Sequence, residues 1–161
     1  MNAFKMTCLM VTLLVGGLVF QAPAIGQSAP PMQWSRTAHG PVGEASVSVR
    51  ATVLQRSDRL FAFWRTDTGY TPRTAISRLL IRVSGREVWV PLDCALGAYD
   101  PHNVRLSVAP EGFVLEIEGG DAAEGYTERL WFDATGVLRL EVSGETGEVS
   151  QTTRYNHVSI E

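Results

Sequence analysis

The densest gathering of reactive side chains lies between residues 93 and 102, where DCALGAYDPH holds Asp93, Cys94, Asp100 and His102. A cysteine nucleophile needs a base to keep it as thiolate, and that base needs a carboxylate to orient it. The residue types therefore fit an envelope thiol enzyme or hydrolase using Cys94 and His102. No local signature of a cysteine-dependent enzyme surrounds them, so the plainer reading is a loop between strands with a buried thiol. Leu92, Ala95 and Leu96 flank Cys94 and favour its burial. His39, His102 and His157 stand singly, without the H-x-E-x-H or C-x-x-C spacing of a zinc site. No metal ligand set is expected from them.

A second cluster is acidic: Glu116 and Glu118 lead into Gly119-Gly120-Asp121, with Glu124 after it. Calcium needs several oxygen ligands on a loop that glycines let fold. The D-x-D-x-D-G spacing of a dedicated calcium loop is missing, so a glycine turn with a solvated acidic face is expected. Asp121 is placed to cap that turn, with Glu124 at capping-box spacing. Calcium- or sugar-dependent binding stands as an alternative. For sugar, the four tryptophans Trp34, Trp64, Trp89 and Trp131 are the candidate platform, although core or cross-strand packing is commoner for them. There is no G-x-S-x-G elbow, no S-x-x-K and no glycine-rich phosphate loop, so no catalytic residue and no cofactor are assigned.

Charge is the least ordinary feature. The 161 residues are 45% hydrophobic and 19% charged with a net charge of −3, which gives no general attraction to nucleic acid or anionic lipid. The charges are nevertheless segregated. Residues 27–86 carry nine arginines against three carboxylates, a net of +6, while residues 87–161 carry four against fourteen, a net of −10. Pairing across strands within the domain is the plain explanation. The sharper one is a polar surface that docks a charged envelope protein or another copy of the chain. Arg78 and Arg82, on one face of their strand, and Trp89 from the paired strand are the candidate contact residues.

These side chains must be held by strands. Residues 1–26 read as a cleaved signal peptide: Lys5, the apolar run Leu9–Phe20, then Ala24 and Gly26 at −3 and −1 of a cut before Gln27. The apolar stretch from Met6 is 15 residues, short of the roughly 20 that span a bilayer, so no membrane anchor is expected after cleavage. Residues 27–45 read as a lead-in and 46–161 as one all-β domain. Val47, Val49, Ala51 and Val53 alternate against Ser48, Arg50 and Thr52. An aromatic strand is expected over 59–66 and a turn over 66–74. Hairpins follow at Ser84-Gly85, at Ala109-Pro110-Glu111-Gly112 and at Ala134-Thr135-Gly136. A weak edge strand is expected over 148–160, and no helical stripe outside the signal. Eight or nine strands joined by local hairpins predict an antiparallel meander forming a sandwich or barrel.

Two segments carry a resemblance. Ile81-Arg82-Val83-Ser84-Gly85-Arg86-Glu87-Val88-Trp89-Val90-Pro91 forms an I-x-V-x-G-x-x-x-x-V-P hairpin. It is followed by Gly119-Gly120-Asp121-Ala122, Tyr126, Leu130-Trp131-Phe132-Asp133 and Gly136 to Arg139. Over roughly Ile76 to Tyr155 the chain resembles small exported proteins of proteobacteria that have no assigned activity. The resemblance implies periplasmic placement and no established catalytic residues. It would make Gly120 and Asp121 turn-shaping, with Tyr126 packed beside the turn. A periplasmic or secreted β-domain with a non-catalytic binding role is the expectation.

Overall fold

The computed structural model describes residues 31–55, 72–96, 98–121 and 124–156, without the side chains of 95 and 96. Residues 1–26, read as a signal peptide, the strand expected over 59–66 with Trp64, and His157 lie outside the described residues. Nine strands and one short helix are described: β1 (Met32–Gly40), β2 (Gly43–Val53), β3 (Thr74–Val83), β4 (Arg86–Val88), α1 (Leu92–Leu96), β5 (Asn103–Ala109), β6 (Gly112–Gly119), β7 (Tyr126–Phe132), β8 (Val137–Gly144) and β9 (Val149–Arg154). They form two antiparallel meanders, β1-β2-β3-β4 and β5-β6-β7-β8-β9. The arrangement is a sandwich-like pair of sheets, not a closed barrel.

Alternation decides which face goes inside. In β2, Ala45, Val47, Val49 and Ala51 are buried while Arg50 is exposed between them. In β6, Phe113, Leu115 and Ile117 do the same and meet Val108, Leu106 and Val104 of β5. The two inner faces share one core, in which Phe113 and Phe132 stack at 5.6 Å. The turns follow their residues. Ser84 and Gly85 both have positive φ (49° and 79°), the conformation that a two-residue primed hairpin requires. Asp133 accepts hydrogen bonds from the Thr135 and Gly136 amides at 2.6 and 3.2 Å and so shapes the β7–β8 turn.

Four elements differ from the sequence reading. The stretch read as lead-in contains β1, and β2 begins at Gly43 rather than Ser46. In β1 only Trp34, Ala38 and Gly40 are even half-buried, and Arg36 interrupts the inward side, so its alternation is faint. The exposed Arg36 has a structural use. Its Nε donates to the Val104 carbonyl of edge strand β5 at 2.8 Å, a bond between the two sheets. β4 stops at Val88 instead of Val90, since Pro91 cannot donate to a ladder. Beyond it lies α1, one turn long and too short to show a periodic stripe.

Candidate functional site

The segregated charge becomes two sheets of different character. The strands of the second sheet carry four arginines and four glutamates, and most of these pair across its outer face. Glu116 takes Arg129 at 2.8 Å and Arg105 at 3.2 Å, Arg105 also reaches Glu118 at 3.3 Å, and Arg139 reaches Glu141 at 3.4 Å. Arg139 also lies 3.8 Å over the Trp131 ring. The acidic surplus sits in the turns.

The first sheet is not balanced in this way. Its strands hold five arginines against Glu44 and Glu87. The register places Gln33, Arg50 and Arg78 in one outward row, Ser35, Ser48 and Leu80 in the next, and Thr37, Ser46 and Arg82 in the third. Arg82 lies opposite Glu87 at 4.0 Å. Arg50 lies directly opposite Arg78, both are exposed, and among the described residues neither has an ion pair. A β-bulge sits at this point. Ser77 is the extra residue of β3, and its hydroxyl donates to the Arg50 carbonyl at 3.2 Å. Over the hydroxyl rows lies a hollow of about 190 Å³ whose lining includes Ser35, Thr37, Ser46, Ser48, Leu80 and Arg82.

Of the three contact residues chosen from sequence, Arg78 and Arg82 share this outward face. Trp89 stands one residue past β4 and is 68% exposed. Arg50 was not chosen. β2 and β3 are joined by a long segment rather than a tight turn, so neither loop length nor alternation sets which residue meets Arg78.

The thiol constellation is arranged differently from its spacing. Cys94 is fully buried and donates to the Tyr155 hydroxyl at 3.2 Å, which donates to Asp93 Oδ2 at 2.7 Å. No bond joins Cys94 to His102, whose amide donates to the Glu118 carbonyl at 2.9 Å. Asp100, at φ 42°, accepts from the Arg73 and Thr74 amides at 3.0 and 2.7 Å and fixes the start of β3. Cys94 in the folded protein is therefore expected to label with iodoacetamide about a hundredfold more slowly than in urea, followed on the Cys94 peptide. Burial first, then the bonds to Cys94 and Asp93, pushes the Tyr155 phenol up from its ordinary value. A raised phenol pKa gives stability that is complete below about pH 10, where the unfolded phenol titrates, and is lost as pH rises further. Melting temperature should accordingly fall less steeply above pH 10 in Tyr155→Phe than in the parent protein.

The acidic cluster resolves into structure. Glu116 and Glu118 point outward into the arginine ladder, and Asn103 also donates to Glu118 at 2.9 Å. Asp121 Oδ1 accepts from the Glu124 amide at 3.1 Å, and Gly120 has φ 82°, a conformation glycine adopts without strain. Among the described residues no group of three or more metal-ligating side chains occurs. One residue escaped sequence reading altogether. Glu128 is fully buried on the inner face, facing Ile117 and Val142 across its neighbours, at a strand position that alternation reserves for an apolar side chain.

No protein-family model, no curated protein and no solved structure matches this chain. Fold and site together define the class: a sandwich-like β-domain with one charge-balanced sheet and one sheet whose outer face carries two arginines that have no ion pair among the described residues.

Proposed function

We propose that the chain is an exported, soluble β-domain with a non-catalytic binding role at the cell envelope, and that the outer face of its first sheet docks an anionic partner. Export rests on the charged-then-apolar pattern of the first 26 residues. The observation that carries the binding role is Arg50 set directly opposite Arg78 with, among the described residues, no ion pair for either. Like charges opposite one another destabilise a sheet, and the guanidinium fork matches carboxylate or phosphate in two parallel hydrogen bonds. An anionic partner supplies the charge that the fold withholds. The arginines of the second sheet, by contrast, are mostly occupied by glutamates of their own sheet.

The test is a titration with an acidic polymer followed by amide chemical shifts. Shifts are expected on the outward rows of β1 to β3, and affinity should weaken at least about tenfold between 50 and 500 mM salt. Absent binding, or binding indifferent to salt, would return these arginines to a merely solubilising role. The thiol-enzyme alternative would regain ground if Cys94 labelled rapidly at pH 6 and His102→Ala slowed it.

A further inference from the structure

Resting on that reading, we infer that the anionic partner is a linear acidic polysaccharide, a sugar chain bearing carboxylate groups, laid along β2 and β3. The shape of the face comes first. Small-molecule sites are concave and enclosing. Here the hollow, about 190 Å³, is smaller than such sites usually are and lies on the outer sheet face, which suits a polymer passing across it.

Composition separates a glycan from a protein. Protein-binding faces concentrate aromatic and apolar anchors at their centre and are depleted in serine. The centre of this face is Ser35, Ser46 and Ser48, with Leu80 the one aliphatic side chain in the three rows. Hydroxyls spaced about 4.8 Å between strands and about 6.8 Å along them donate and accept, as sugar hydroxyls do.

Charge then selects among glycans. Arg78 and Arg82 lie four residues apart on one strand face, roughly 13 Å. An anchor pair at Arg50 and Arg78, followed by a hydroxyl floor, is complementary to acidic groups recurring along an extended chain. Trp89 adds a flat apolar ring, 68% exposed. It stands one residue past the end of β4, the strand paired with β3. Aromatic faces stack on the apolar faces of pyranose rings.

The experiment titrates the purified protein with four probes at low salt: galacturonate oligomers, neutral dextran, poly-glutamate and inorganic phosphate. Galacturonate oligomers are expected to bind in the micromolar range, with dextran and phosphate at least about a hundredfold weaker. Arg50→Ser and Arg78→Ser should each weaken oligomer binding at least about fivefold, and Trp89→Ala about threefold, with unchanged melting cooperativity as the folding control. Poly-glutamate binding as tightly as galacturonate would overturn the glycan inference while leaving the anionic face intact. Equal binding of dextran, or no binding of any probe, would overturn both. Tight phosphate binding, matched mole for mole, would replace the polymer by a small anion and overturn the inference as well.

Discussion

Arg78→Glu is expected to make the free protein more stable and to stop it binding. Glutamate at this position would stand directly opposite Arg50, turning a like-charge pair into an ion pair on the same two strands. Cross-strand pairs contribute about 0.2–1 kcal/mol each way, so removing the repulsion and adding the attraction should together give about 1 kcal/mol. For a domain of this size that is a rise of roughly 3–6 °C in melting temperature. The same change removes one guanidinium from the anchor row and adds a repelling carboxylate, which should cost at least about tenfold in affinity for an acidic polymer. Arg129→Glu on the other sheet is the contrast. It breaks the 2.8 Å pair with Glu116 and should lower the melting temperature. Thermal melts of the two variants, set beside their titrations, measure both halves. A lower melting temperature for Arg78→Glu with binding intact would sink the assignment of this face.

What the sequence alone makes legible is whatever depends on neighbours in the chain. Alternation placed Val47, Val49 and Ala51 inside, and Ser84-Gly85 announced its turn, because side-chain period and turn chemistry are local. The meander order of the second sheet followed from its short connections. The site was only half legible. That Arg78 and Arg82 share a face is a matter of parity along one strand. That Arg50 faces Arg78 depends on a register set by core packing and shifted by a bulge at Ser77, and no local pattern encodes either. β1 hid for a related reason, since an edge strand with Arg36 on its inward side has little apolar alternation to show. Cys94 and Tyr155 are brought together from 61 residues apart by the packing of α1 against the segment that follows β9. Chemistry inferred from the nearby His102 could not have anticipated that. Charge segregation was visible as arithmetic, but which half would neutralise itself was not. That depended on glutamates and arginines of β5, β6 and β7 coming into rows.

Gly119→Ala is expected to cost about 3 kcal/mol. The glycine is not needed for its backbone freedom but for the space above it. A Cβ there would fall on the Tyr126 hydroxyl, on its ring carbon Cζ, and on the Tyr99 carbonyl. None of these can withdraw cheaply. Tyr126 is buried, packs against the Tyr99 ring at 5.0 Å and donates to the Tyr99 carbonyl at 2.9 Å. Tyr99 is in turn bridged to Ala75, and the Ile76 and Asp100 amides donate to the Ala98 and Thr74 carbonyls at 3.0 and 2.9 Å. This chain of contacts ties the end of β6 to the beginning of β3, one sheet to the other. Displacing Tyr126 therefore breaks a buried hydrogen bond and loosens the strand that carries Arg78. Tyr126→Phe, which removes the bond but keeps the ring, should cost about 1–2 kcal/mol. Gly144→Ala is the control: among the described residues nothing lies within 4 Å of its Cβ position, so the added methyl should be close to neutral or slightly stabilising. Urea unfolding of the three variants orders them. Because the damage lies at the junction and not on the face, Gly119→Ala should bind an acidic polymer with parent affinity at any temperature where it is still folded. A loss of affinity in the folded variant would mean instead that the junction sets the register of the arginine row.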